Sequence, residues 1–199
     1  MRLRSFLMFF GMLCRHCVSV PHVLSAFLLS FGVIFVAELG DKSQLMAMAF
    51  SARYKPWPVL VGITIATAVT HAISVGIGAV VGARIPTDTI AIIAGIAFLV
   101  FAGWTLRGDE LSEEEAQAAQ KNTRNAVIAA SVAFFLAELG DKTMLATITL
   151  ATKENTFGTW LGSTLGMVAA DALAIFFVQP LIVTVLSALI LREAVGPRR

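Results

Sequence analysis

Two stretches of this chain carry the same six residues: Ala37-Glu38-Leu39-Gly40-Asp41-Lys42 and Ala137-Glu138-Leu139-Gly140-Asp141-Lys142. A hydroxyl side chain follows each copy, Ser43 and Thr143. Each copy therefore gathers two carboxylates, an ammonium group, a hydroxyl and a glycine. Carboxylate and hydroxyl oxygens suit hard divalent cations, and carboxylates also carry protons. Both copies lie inside long apolar runs. A carboxylate or lysine at the bilayer centre costs about 3 kcal/mol on insertion scales, so six such groups would cost roughly 18 kcal/mol if nothing compensated them. A chain that bears this load twice uses it, and the use that fits is movement of ions or protons through a membrane.

Charge counting sharpens the chemistry. Each motif has two carboxylates and one lysine, a net charge of minus one; two motifs facing each other carry minus two. One divalent cation neutralises that pair, and so do two protons. On an ideal helix Glu38, Asp41 and Lys42 share a face, as do Glu138, Asp141 and Lys142. Ser43 would then point well away from Glu38, at about 100° per residue. Gly40 and Gly140 offer a remedy, because glycine accepts backbone angles that break a helix and free carbonyls for a cation. Close helix packing is the plainer use of those glycines. A structural alternative for the motifs is an ion-paired strut from Glu to Lys, although buried pairs are weak stabilisers.

Further groups stand near the motifs. Gln44 could add an amide oxygen, and the thioethers of Met46 and Met144 could favour Mn²⁺ over Ca²⁺ or simply fill space. His71 and Asp171 occupy equivalent places, 100 residues apart, and are candidates for a proton relay or an outer shell. The plainer expectation is that His71 bonds a nearby backbone group and Asp171 pairs with Lys42 or Lys142. Thr64, Thr67, Thr70 and Ser74 form a small polar stripe suited to helix packing.

Composition defines the setting. The chain has 199 residues, 57% hydrophobic and 14% charged, where soluble domains average about 25% charged. Its mean hydropathy is +0.82, which marks an all-α integral membrane protein whose first partner is the lipid bilayer. The net charge of +2 and the lack of a basic stripe exclude nucleic acid. The two cysteines, Cys14 and Cys17, give no disulfide framework and no complete zinc site. No cofactor and no catalytic residue set is expected. Residues 1–22 form an N-terminal extension in which Arg2 and Arg4 precede a short apolar run, like a leader or an interfacial anchor.

Five apolar spans follow: 23–50 with the first motif, 59–81, 90–106, 126–151 with the second motif, and 160–178. Residues 23–106 make a first repeat of three transmembrane helices, 107–124 an acidic linker, and 125–199 a second repeat. Beyond the motif, Phe35 matches Phe135, Leu45 Leu145, Gly62 Gly162 and Thr64 Thr164. Three crossings separate the motifs, so the copies enter from opposite sides: an inverted repeat of two three-helix halves, with the site between them at midplane. After Pro180 only Leu181–Leu191 is apolar, so the final helix is short or incomplete: either a stunted sixth helix or an extension of the fifth past a kink. Basic residues after the first and third spans place the acidic linker in the cytoplasm.

The doubled pattern E-x-G-D-[KR]-[ST], matched at every position by Glu38–Ser43 and Glu138–Thr143, resembles one family. It is the divalent cation/proton exchanger family that includes the Golgi manganese and calcium transporter of eukaryotes and the chloroplast and bacterial manganese exporters. The resemblance runs from Leu24 to Leu173. It implies two three-helix halves and secondary transport of Mn²⁺ or Ca²⁺ against H⁺, in a bacterial inner membrane. Glu38, Asp41, Glu138 and Asp141 would be cation ligands, Ser43 and Thr143 their supports, and Lys42 and Lys142 would tune the charge. The family completes a sixth helix, and this chain departs there. A divalent cation channel is the main alternative, ahead of an intramembrane enzyme or a structural membrane protein. The oligomeric state is not set by the sequence; a homodimer is among the arrangements it permits.

Overall fold

The computed structural model describes residues 20–105 and 125–194, and all the elements within them are helical. The leader-like segment with Cys14 and Cys17, the acidic linker and the Pro197-Arg198-Arg199 tail lie outside the described residues. In chain order the helices are α1 (Val20–Glu38), α2 (Lys42–Arg53), α3 (Pro56–Gly82), α4 (Thr87–Thr105), α5 (Ala126–Glu138), α6 (Lys142–Ala151), α7 (Thr156–Leu173) and α8 (Gln179–Ala194), with a π-helical turn at Ala174–Val178.

Local chemistry sets the boundaries. Pro56 opens α3, where its missing N–H costs nothing. Asn125 caps α5 by accepting from the N–H groups of Val127 and Ile128, and Asn155 caps α7 through Gly158. The two motif spans both break at their glycine. Gly40 has φ +81° and Gly140 φ +86°, the left-handed region that glycine alone enters freely. At the first break α1 and α2 meet at 75°.

The breaks split the first and fourth apolar spans. By length and composition two described helices can cross a membrane alone, Pro56–Gly82 and the continuous Thr156–Leu189, and the bent α1–α2 pair makes a third. In the fourth apolar span the break leaves a shorter apolar helix, Ala126–Glu138. The stretch after Pro180 is no separate sixth helix. It continues α7 without a loop: the helix widens into the π turn, and the Gln179 N–H reaches back to the Ala174 carbonyl. That slack takes up the ring of Pro180, which has no N–H to offer.

Close contacts at glycines reveal how the helices run. A Cβ on Gly62 would lie 2.7 Å from both the Val127 carbonyl and the Ala130 Cβ, while Gly78 faces Ile148 and Ala151, and Gly82 faces Thr152. Numbers rise together, so α3 runs parallel to α5–α6. Gly158 faces Val23 and Ala26, Gly162 faces Phe27, and Gly166 faces Phe31 and Phe35, so α7 runs parallel to α1. Small residues let these backbones approach, as in membrane helix pairs generally. Met46, Phe50, Val59, Ile63, Phe134 and Ile175 fill the main core. The outer faces carry Leu28, Val36, Ile65, Leu99, Phe177 and Leu181, a surface suited to hydrocarbon rather than water.

Candidate cation site

The glycine breaks do what an unbroken helix could not. With the chain turned at Gly40, the Ser43 hydroxyl donates to Glu38 Oε2 at 2.5 Å. The second motif repeats the bond: Thr143 donates to Glu138 Oε2 at 3.1 Å. Asp41 and Asp141 stand at the N-caps of α2 and α6 in the same extended conformation, φ −81° and −77°, yet neither side chain caps its helix. Both carboxylates are thereby left for other partners, next to the positive end of a helix dipole.

The two motifs meet. Lys142 Nζ lies 2.7 Å from Asp41 Oδ1, an ion pair between the halves. Carboxylate oxygens of Glu38, Asp41 and Asp141 lie within 4.8 Å of one another. Glu38 is 0% exposed and Asp41 4%, while Asp141 is partly buried; Glu138, 2% exposed, lies outside this group. Glu38 Oε1, Asp41 Oδ2 and Asp141 Oδ2 are buried without a hydrogen-bond partner among the described residues. Carboxylates in excess of the ammonium that pairs with Asp41 are unfavourable when buried with spare oxygens, unless further positive charge joins them. Three carboxylates from two helix breaks thus form a donor set for a hard divalent cation or for protons.

The surrounding residues divide by role. Gln44 Oε1 accepts from the Gly40 N–H at 2.9 Å, and its Nε2 donates to the Ala170 carbonyl at 2.8 Å. At the corresponding place Met144 Sδ accepts from the Gly140 N–H at 3.4 Å. The amide oxygen of Gln44 therefore serves the backbone of the break. Met46 packs in the core beside Phe50. Thr64, Thr70 and Ser74 bond carbonyls of their own helix, and Thr67 meets Met167 Sδ, in keeping with packing.

His71 and Asp171 are both buried, and neither ring nitrogen nor either carboxylate oxygen has a hydrogen-bond partner among the described residues. The backbone bond expected of His71 and the lysine pairing expected of Asp171 are therefore not what the structure contains. The ion pair between the halves was not legible from either motif alone. Opposite charges at matching places in a repeat were the available signal. Nothing in the composition announced the π turn.

Comparisons with known proteins fit this geometry. The family described as "Divalent cation/proton antiporter GDT1" matches residues 26–113 and 126–195. A Vibrio cholerae protein named "Putative manganese exporter" is 36% identical over 165 residues, covering 81% of this chain and 80% of that protein. GDT1-like protein 3 of Arabidopsis thaliana is 27% identical over 181 residues, and the chloroplastic GDT1-like protein 2 of Oryza sativa subsp. japonica is 31% identical over 180. The chain spans 62% and 52% of those two plant proteins. No solved structure matches it. The family is one of transporters, and this chain has two described helices, or three with the bent pair, long and apolar enough to cross a membrane. This chain belongs to the GDT1 family of divalent cation/proton antiporters.

Proposed function

We propose that the protein exports Mn²⁺, with Ca²⁺ as the alternative cargo, in exchange for protons entering the cell, and that it does so across a bacterial inner membrane with the acidic linker in the cytoplasm. One observation carries the reading: carboxylates from two separate helix breaks, Glu38 and Asp41 buried and Asp141 partly so, converge within 4.8 Å. In this reading Glu38, Asp41, Glu138 and Asp141 bind the cation, Ser43 and Thr143 hold the two glutamates, and Lys42 and Lys142 set the net charge at minus two. A divalent cation or two protons then give the same neutral site. An empty site is costly in a dry interior, which couples release of one occupant to arrival of the other.

An inverted repeat supports alternating access. The directions of the close contacts favour it: α3 returns from α2 and runs alongside α5–α6, so the second motif span opposes the first. The name of the Vibrio relative favours manganese over calcium. The test is divalent metal uptake into everted vesicles with and without a proton gradient, for Mn²⁺ and Ca²⁺. Proton efflux should accompany metal entry, and Glu38→Gln should abolish both. Metal flux with no proton movement would make the protein a channel, and full transport by Glu38→Gln would remove the site altogether.

A further inference from the structure

Outside the two motifs, one fully buried carboxylate remains among the described residues: Asp171 on α7, 0% exposed. Both its oxygens lack a hydrogen-bond donor. A carboxylate in that condition is poor packing material, because its hydration is lost and nothing replaces it. Its position has a direction. Contacts along α7 step from Gly158 at Val23, through Gly162 at Phe27, to Gly166 at Phe31 and Phe35. The next turn brings Asp171 level with Glu38 and the first break.

The backbone there is tied to the same break. One side chain, Gln44, accepts from the Gly40 N–H and donates to the carbonyl of Ala170, the residue before Asp171. Directly beyond, the π turn Ala174–Val178 departs from ideal helix, a feature common at functional sites. With Asp171 included, five buried carboxylate oxygens have no hydrogen-bond partner: Glu38 Oε1, Asp41 Oδ2, Asp141 Oδ2 and both of Asp171. The motif carboxylates Glu38, Asp41 and Asp141 already lie within 4.8 Å of one another and Asp171 stands outside that group, so as a ligand it would extend a set still short of the six or more oxygens that Mn²⁺ and Ca²⁺ take.

We propose that Asp171 is a fifth carboxylate of the transport site, a ligand for the divalent cation on the side of the first break. The proposal rests on the reading of the site as a cation carrier. It makes the two halves chemically unequal, since His71 stands where a symmetric site would repeat the acid.

The test uses the purified full chain in detergent, titrated with MnCl₂ and followed by thermal unfolding, for wild type, Asp171→Asn and Asp171→Glu. Asp171→Asn keeps the shape and removes the charge. It should raise the unfolding temperature without metal and weaken Mn²⁺ binding by about tenfold or more, a loss typical of removing a group that supports a metal. Asp171→Glu should bind Mn²⁺ better than Asp171→Asn. Wild-type affinity in Asp171→Asn would overturn the proposal. So would a fall in metal-free stability in both variants, since that marks a structural residue. Wild type that binds no divalent cation would instead sink the carrier reading itself, so the two failures are distinguishable.

Discussion

Replacing Gly40 by alanine tests the link from backbone angle to site geometry. Gly40 sits at φ +81°, and a Cβ added there would meet nothing within 4 Å. The cost of Gly40→Ala is therefore backbone strain alone, about 1–2 kcal/mol for an L-residue in the left-handed region. For a chain of this size that lowers the unfolding temperature by roughly 2–4 °C per kcal/mol. The chain can escape the strain by continuing α1 through position 40. Ser43 then lies five residues along an unbroken helix from Glu38, about 140° away around the axis. The 2.5 Å bond between them is lost, and a hydrogen bond to a charged group is worth about 1.5–3 kcal/mol. Either route harms the protein, and the second harms transport more than stability. Gly40→Asn should do less damage, because asparagine tolerates the left-handed region better than alanine. Gly140→Ala, at φ +86° and equally unobstructed, should repeat the result. Thermal unfolding in detergent and metal uptake in vesicles read the two effects. Wild-type behaviour in both alanine variants, or asparagine as damaging as alanine, would refute the argument from the glycine breaks.

Three further outcomes are expected. Lys142→Met and Asp41→Asn, combined in a double-mutant cycle of unfolding free energies, should show a coupling of about 1–3 kcal/mol, because their ion pair joins the halves at 2.7 Å; independent effects would mean that the contact carries no energy. Gly162→Ala drives a Cβ into the Phe27 backbone and should destabilise by about 1–3 kcal/mol, whereas Gly95→Ala, with nothing within 4 Å, should be neutral or mildly stabilising by up to about 1 kcal/mol. Protons and metal compete for the same oxygens, so stabilisation of the purified chain by Mn²⁺ should weaken as pH falls; a dissociation constant that does not change between neutral and acidic buffer would separate proton binding from the metal site.

The repeat made the main features of the site readable, because chemistry at fixed spacing is a local property. Glu38, Gly40, Asp41 and Ser43 needed only their order and the geometry of a helix to imply a break. Two things needed the folded chain. The first is the pairing of Lys142 with Asp41, which depends on how α1–α2 and α5–α6 come to face each other. The same motif in isolation predicts a strut within one helix. The second is the fate of Pro180. A proline reads as a stop because it lacks an N–H and its ring crowds the carbonyl four residues earlier. Here the preceding turn loosens from α to π, and the Gln179 side chain accepts a hydrogen bond from Ser51 at the end of α2. Hydropathy records neither the loosening nor the anchor.

The two breaks are equal in backbone and unequal in their ties, and the difference follows from side-chain chemistry. Gln44 has both an acceptor and a donor, so it can close the Gly40 N–H and still reach the Ala170 carbonyl on α7. Met144 meets the Gly140 N–H with sulfur and has no donor to extend to α3. Ser51 adds a second bond from α2 to the α7–α8 helix through Gln179, where the position matching Ser51 is Ala151. Rocking one half against the other must stretch these polar ties at the first break, whereas small residues slide past one another at the packed glycines. The first break is thus tied through Gln44 to α7, the helix that bears Asp171, and the second is tied to the first through Lys142 and Asp41.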